Sequence, residues 1–327
     1  MTIRWGILGT GNIARQFAKG LESLPDAELV AVGSRTQKSA QTFADTFGGR
    51  AHGSYEALAA DPKVDIVYVG TPHTLHAENS LLCLEHGKAV LCEKPFTLNA
   101  GEAQRVVDTA RAKGLFLMEA MWTRFFPLAS ALRDLVRGGR IGEVKLLHAD
   151  FGFRGEVGPE HRLYDPALGG GALLDLGVYP VSLASFLLGT PTAVSSQAHL
   201  GATGVDEQNA LVLQHEGGAL AVLSSTLRAT TPQEALIMGT GGSVRLHAPW
   251  WQPQALTIRG EDGSEETLES PLPHSGYAYE AAEVGRCLQA GETESPLMPL
   301  DETLAIMHTL DTCRAAWGLR YPGERGG

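Results

Sequence analysis

The stretch that most limits what this chain can become lies at its start. Residues 3–8, Ile-Arg-Trp-Gly-Ile-Leu, run directly into Gly9-Thr10-Gly11-Asn12-Ile13-Ala14. A short apolar strand that ends on GxGxxA and opens a helix begins a βαβ unit. Gly9 permits the tight turn, Gly11 lets a phosphate approach the backbone, and Ala14 lets the helix pack closely on the strand. Further strand-like runs follow at 28–32, 65–69, 88–92 and 115–118, alternating with helical patterns at 13–19, 39–47, 74–86 and 99–112. β-branched runs between helices predict a parallel sheet, and right-handed crossovers make it doubly wound.

The pattern changes after residue 124. A helix at 127–137 leads to a long strand at 144–153, a charged loop at 154–165 and an apolar helical stretch at 172–188. Strand-like segments at 193–200, 209–216, 219–226, 234–238, 243–247 and 255–258 then predict an antiparallel meander, with Gly217-Gly218 and Gly241-Gly242 as turns. Helices at 277–289 and 302–317 close the chain. A length of 327 residues suits two domains, or one large one. The expected division is 1–123 for a dinucleotide-binding domain and 124–327 for a substrate and oligomerisation domain, with 302–318 a candidate to pack back on the first.

Composition narrows the partners. The net charge is −11 and no dense basic cluster interrupts it, which argues against nucleic acid. The longest unbroken apolar run, 219–223, is far short of the ~20 residues of a membrane helix, so no membrane association is expected. No basic leader precedes the first strand, so no signal peptide is expected either. Cys83, Cys92, Cys287 and Cys313 form no CxxC pair, and they read as buried thiols of a cytoplasmic protein without a metal.

In a doubly wound sheet the ligand lies outside the carboxyl ends of the strands. The residues expected there are Gly9, Thr10, Gly11, Asn12 and Ile13, then Ser34 and Arg35, then Thr71, Pro72 and His73, then Glu93 and Lys94, and finally 119–122. The second strand is followed by Gly33-Ser34-Arg35-Thr36 where an acidic residue would read the ribose 2′-hydroxyl of NAD. A hydroxyl beside a guanidinium suits a 2′-phosphate, so NADP(H) is preferred over NAD(H). The competing reading is an Arg35 that stacks on adenine, indifferent to the phosphate. Lys94 directly follows a buried strand, and Pro95 restricts it to an extended conformation. An ammonium in that cleft can polarise a carbonyl or protonate an alkoxide; the plainer alternative is a structural pair with Glu93.

A second constellation follows three glycines at 169–171. Asp175 and Tyr179 stand at i and i+4 on one helical face among Leu174, Leu176 and Val178. A buried carboxyl and phenol need partners, which a hydroxylated substrate supplies; a helix cap plus a core tyrosine is the other explanation. Pro180 removes one helical hydrogen bond, so a kink is expected. His161, in the charged loop, is a candidate substrate contact. His148, His199, His215 and His247 have no ligand spacing, so no metal is expected.

Taken together, GxGxxA, TPHxxH at 71–76, GKxVxxEKP at 87–95 and GGGxLxDxGxY at 169–179 resemble the glucose–fructose oxidoreductase / inositol dehydrogenase (Gfo/Idh/MocA) family over essentially the whole chain. Residues 119–125 and 169–179 most resemble its branch of dimeric dihydrodiol dehydrogenases, D-xylose dehydrogenases and glucose–fructose oxidoreductases. The resemblance implies a Rossmann domain and then an α/β domain with a large, open, mostly antiparallel sheet, whose free face often forms the interface of a homodimer or homotetramer. It implies that Lys94 contacts substrate and nicotinamide ribose across a Lys94–Pro95 bond that is often cis. His76 and Trp122 would line the cleft, with Trp122 and Arg124 as substrate contacts. Tyr179 stands where the inositol branch has a histidine, so the acid/base is a phenol. The implied reaction passes a hydride between nicotinamide and a hydroxyl or carbonyl carbon of a sugar, polyol or cyclic dihydrodiol. Tyr179 exchanges the proton, aided by Lys94, and Asp175 orients a second hydroxyl. A non-catalytic cofactor-sensing regulator, or a hydrolase with a tightly held NAD, remains open on the same residues.

Overall fold

Trp5, Ile7 and Leu8 have no exposed surface, because their strand, β1 (Ile3–Leu8), lies in the middle of a parallel sheet. The computed structural model describes residues 2–272 and 275–324. The chain divides into two compact units. The first comprises Met1–Phe125 and Leu272–Leu304, and the second Phe126–Pro271 and Ala305–Gly327.

In the first unit β1 is joined by β2 (Ala27–Gly33), β3 (Arg50–His52), β4 (Ile66–Val69), β5 (Ala89–Glu93) and β6 (Leu117–Ala120), in the order β3-β2-β1-β4-β5-β6, all parallel. Every residue of β4 and β5 is buried, as expected of strands covered on both faces. The strand order reverses between β1 and β4, the point where sheets of this kind bind ligands outside their carboxyl ends. The two turns there nearly touch: a Cβ on Gly9 would lie 2.6 Å from the carbonyl oxygen of Gly70, and Gly9 has φ +107°. Only glycine meets both demands. The helix Asn12–Leu21 buries Ala14, Phe17, Ala18 and Leu21, and Phe17 stacks on Tyr68 of β4 at 3.8 Å. Complete burial of a ring such as Phe17 is worth ~2–3 kcal/mol. The helix Tyr277–Ala290 packs against it at Gly20, where a Cβ would come within 3.0 Å of the Ala278 nitrogen. Strand β3 and the helix Tyr55–Ala59 were not among the elements expected from sequence. Arg-Ala-His carries no apolar periodicity, and a helix of one turn shows none.

The second unit holds β7 (Val144–Gly152), β8 (Ala193–Leu200), β9 (Asp206–Gln214), β10 (Leu220–Thr226), β11 (Ala235–Gly239), β12 (Gly242–Leu246), β13 (Ala255–Gly260) and β14 (Glu265–Glu269). Their order is β14-β13-β12-β11-β7-β10-β9-β8. The expected single meander is therefore two meanders with β7 inserted between them, parallel to β10 and antiparallel to β11. No tight turn links Thr226 to Ala235, so that connection is free to cross over β7's place in the sheet. β14, with the sequence EETLE, escaped the pattern because it is a charged edge strand. One face of the sheet buries Leu211, Leu213, Ala221 and Leu223, while the other leaves Val212, Leu220 and Val222 exposed.

The helix Val178–Leu188 packs on β7 and β10. The stretch Pro166–Leu188 is long and apolar enough to cross a membrane, but 89% of its apolar window is buried, as in a core helix. The sequence reads as one α-helix here. Instead Leu173–Gly177 forms a π-helical turn, with the Val178 N–H reaching five residues back to the Leu173 carbonyl. Pro180 has no N–H for the Leu176 carbonyl, and the helix widens just ahead of it. Asp175 and Tyr179 are thus related by a π turn, wider than the α-helical spacing assumed from sequence.

Candidate active site

The first unit carries the features of a dinucleotide site. The helix Asn12–Leu21 starts at Gly11 with no side-chain cap and no acidic residue in its first turn. Gly11 and Asn12 are exposed, and a Cβ on Gly11 would meet nothing within 4 Å. Uncapped N–H groups at the positive end of a helix, with open space before them, fit a pyrophosphate. At the end of β2, Ser34 is buried with its Oγ 3.3 Å from Thr10 Oγ1, and Arg35 is exposed. Burial raises the pKa of the Tyr55 phenol, and the charge of Arg35 works against that rise, so Arg35 and Tyr55 are neighbours.

At the ends of β4 and β5 the residues of TPHxxH and EKP are tied together. His76 is fully buried, with Nδ1 2.8 Å from the Pro95 carbonyl and Nε2 2.8 Å from the Thr71 carbonyl. Burial lowers its pKa, and a neutral ring donates to only one of the two carbonyls. His76 thus braces the turns that carry Thr71 and Pro95, whereas the resemblance implied a cleft-lining residue. Asn79 Nδ2 donates to Thr71 Oγ1 at 3.1 Å, and the His73 and His76 rings meet edge-on at 5.7 Å. Pro72 is exposed and His73 buried. Lys94 is half-buried, its backbone N–H donates to Glu93 Oε2 at 3.1 Å, and the Lys94–Pro95 bond is cis. The Tyr68 hydroxyl donates to Glu93 Oε1 at 2.5 Å.

Beyond β6, Trp122 stacks on Tyr277 with centroids 4.6 Å apart. Arg124 is buried and paired with Glu302 at 2.7 Å, and it reaches the Leu297 carbonyl at 3.4 Å. That arrangement ties it into the first unit. Glu119 accepts from Thr303 Oγ1, and burial pushes its carboxyl up to about 7.

The second unit carries Asp175 and Tyr179, both buried. Asp175 Oδ1 accepts from Arg162 Nη1 at 3.0 Å. Tyr179 lies against Phe151 at 5.4 Å, and Phe151 stacks on Trp251 at 3.5 Å with the rings nearly parallel. Trp250 meets Trp251 edge-on and donates its Nε1–H to the Asp150 carbonyl at 2.7 Å. His161 is exposed and accepts the Leu163 N–H at 3.3 Å, so it is the next residue of that loop, Arg162, that reaches Asp175. Sequence reasoning missed Arg162, Phe151 and Trp251. The adjacent tryptophans after Pro249 were a signal; Arg162 had none beyond lying next to His161. Among the described residues no group of three or more His, Cys, Asp or Glu side chains could hold a metal ion.

The chain is similar to known proteins along its length. Residues 3–121 match an oxidoreductase family with an NAD-binding Rossmann fold, and residues 129–245 match the GFO/IDH/MocA C-terminal domain. The trans-1,2-dihydrobenzene-1,2-diol dehydrogenase of Homo sapiens is 39% identical over 99% of this chain and 100% of its own. The D-xylose 1-dehydrogenase (NADP(+)) of Hypocrea jecorina is 37% identical over 98% of this chain and 93% of its own. Among solved structures, a 3-ketoreductase from Actinomadura kijaniata in complex with NADP and TDP-benzene superposes with a TM-score of 0.86 at 30% identity, over 96% of this chain and 98% of that one.

Proposed function

Since the chain belongs to the Gfo/Idh/MocA oxidoreductase family and is an NAD(P)-dependent enzyme of CH–OH groups, we propose that it uses NADP(H) to interconvert a hydroxyl and a carbonyl on a ring-shaped sugar or diol. One observation carries the choice of substrate. Tyr179, beside an Asp175 held by Arg162, lies against the Phe151–Trp251 stack. A cyclic polyol or dihydrodiol has a carbon face that suits an aromatic wall and a rim of hydroxyls that suits a phenol and a carboxylate. Related enzymes whose names specify a dihydrodiol, a xylose and NADP support the same class.

Bound NADP+ supplies the hydride acceptor at its nicotinamide. In oxidation the Tyr179 phenolate takes the hydroxyl proton, and in reduction the neutral phenol returns it. Lys94 stabilises the negative charge that develops on the substrate oxygen. Asp175, anchored by Arg162, accepts a hydrogen bond from a second hydroxyl and so fixes which carbon reacts. Gly9, Thr10, Gly11, Asn12 and Ile13 hold the pyrophosphate at the helix N-terminus, while Ser34 and Arg35 hold the 2′-phosphate. Thr71, Pro72, His73, Glu93 and Trp122 shape the nicotinamide end, and His76 braces it.

The experiment mixes the protein with NADP+ and a panel of aldoses, polyols and dihydrodiols and reads reduced-nicotinamide absorbance. Lys94→Ala is expected to keep NADPH binding and lose turnover. Full turnover in that variant, or no cofactor reduction with any of the panel, would sink the assignment. Hydrolysis of a glycoside without net cofactor reduction would favour the hydrolase reading instead.

Val222 is opposite Val212 across β9 and β10, and with Leu220 they form an exposed apolar stripe on the open sheet. We assign that stripe to an interface between copies of the chain, expected as a dimer or tetramer in sedimentation and lost in Val222→Asp. The cytoplasm is the proposed compartment, since all four cysteines are buried thiols without disulfides.

A further inference from the structure

The backbone just ahead of Asp175 is gripped by side chains that no motif marks. A Cβ on Gly170 would lie 2.8 Å from the carbonyl oxygens of Arg162 and Leu163. Gly171 has φ +119°, and its Cβ would collide with Asp206 Oδ1. This close approach sets the Leu173 N–H on Asp206 Oδ2 at 2.8 Å. The same oxygen accepts from Asn209 Nδ2 at 2.8 Å. Ser225 Oγ lies 3.2 Å from the Ala172 carbonyl and 3.0 Å from Asn209 Oδ1, and its single hydrogen goes to one or the other. The Tyr321 hydroxyl donates to the Gly170 carbonyl at 2.5 Å. Asp206, Asn209, Ser225 and Tyr321 are all buried, and Asp206 Oδ1 has no hydrogen-bond partner among the described residues.

Two backbone groups of this segment, the Gly170 carbonyl and the Leu173 N–H, are therefore fixed from outside it, and a third, the Ala172 carbonyl, lies within reach of Ser225. A π turn starts at once, and Asp175 lies inside it. Such a turn forgoes the regular i→i−4 ladder and is uncommon without outside support. Asp206 supplies support where the backbone needs it, at an N–H of the helix's first turn that has no partner within the helix.

We propose that Asp206, with Asn209 and Ser225, is a positioning device for the reaction: it anchors the turn at 170–173 and thereby sets where Asp175 and Tyr179 meet the substrate. The idea rests on the active-site reading above, and its test separates the two. Asp206→Ala removes the acceptor. Asp206→Asn keeps it, because the amide oxygen can take over from Oδ2 and the amide nitrogen occupies the place of Oδ1.

The first readout needs no substrate: hydrogen exchange of the peptide covering 170–179 in the full-length protein. Exchange is expected to rise about tenfold in Asp206→Ala and to stay near wild type in Asp206→Asn. The second readout is kinetic. Asp206→Ala is expected to lose about a hundredfold in kcat, as a misplacement on the order of 1 Å does, with NADPH affinity unchanged. Asp206→Asn is expected to recover most of that loss. A purely structural carboxylate would lower thermal stability without this split between kcat and cofactor binding. A peptide as protected in Asp206→Ala as in wild type overturns the proposal, as does equal impairment of the two variants. If Asp206→Ala does not fold, Ser225→Ala must loosen the same peptide, and unchanged exchange there overturns the proposal. If only Asp206→Ala loosens the peptide while wild type turns over no sugar or diol, the anchor stands and the assigned activity falls.

Discussion

Glu280 is expected to serve this protein better as a methionine. It lies on the helix Tyr277–Ala290 with no exposed surface, and neither carboxyl oxygen has a hydrogen-bond partner among the described residues. Burial raises its pKa well above the usual 4.5, and the negative charge of Glu93 adds to the rise. Two costs follow. An unsatisfied buried polar group costs about 1–3 kcal/mol at any pH. The second cost depends on pH. The folded state keeps the Glu280 proton after the unfolded chain has released it, so stability falls as pH rises above about 4.5. The slope is at most ~1.4 kcal/mol per pH unit, an upper bound of ~4 kcal/mol between pH 5 and 8. Glu280→Met, of similar length and able to fill the space, removes both costs. Its advantage is expected at pH 5 and should widen by pH 8, raising the melting temperature by about 2–4 °C per kcal/mol for a unit of this size. Glu280→Gln separates the terms, since it abolishes the titration and keeps the unpaired polar atoms. Urea and thermal unfolding at pH 5, 6.5 and 8 provide the measurement. A Glu280→Met protein no more stable than wild type at pH 8, or an advantage that does not grow with pH, would refute the reasoning.

Three further outcomes are expected. Arg35→Ala should cut the preference for NADPH over NADH by about tenfold to a hundredfold, the worth of charge-assisted bonds to a phosphate; a fluorescence titration showing an unchanged ratio removes Arg35 from cofactor selection. Trp251→Ala should raise KM for ring substrates by about tenfold, with a smaller change in kcat, because it removes one plate of the Phe151 stack; equal KM values for both proteins would contradict the aromatic wall. Glu119 is pushed up to about 7 chiefly by burial, opposed by the Thr303 hydrogen bond and the charge of Arg124. Wild type should therefore lose stability relative to Glu119→Gln as pH rises from about 4.5 to about 7, and parallel stability–pH curves for the two would exclude that titration.

How far the sequence exposes the fold depends on burial. Strands β4 and β5 are readable because a sheet covered on both faces makes them unbroken apolar runs bounded by turns. Strands β9 and β10 are readable for the opposite reason, an alternation that one open face imposes. Neither signal exists for β3 or β14, which lie at sheet edges and carry charged residues. The insertion of β7 between two meanders is invisible for another reason. Strand order is set by which edges find each other, and periodicity reports only which face is buried.

The candidate site divides along the same line. Gly9, Lys94, Asp175 and Tyr179 can be singled out in sequence because each violates a local rule: a glycine ending a strand, a lysine directly after a buried one, polar groups within an apolar helix. Arg162, Asp206, Asn209 and Ser225 violate none. Arg162 looks like any loop arginine, and Asn209 and Ser225 sit in strands whose alternation tolerates them. Asp206 and Ser225, with Asn209 between them, reach the backbone beside the three glycines only because β9 and β10 bring them there. The π turn joins the two classes. The sequence spacing of Asp175 and Tyr179 points to one helical face, and Pro180 to a disturbance, but neither says that the turn widens. The Leu173 N–H finds its acceptor in Asp206 and the Ala172 carbonyl lies within reach of Ser225, both more than thirty residues away in sequence. A motif can therefore name the residues proposed to meet the substrate, while the side chains proposed to hold their placement lie outside it.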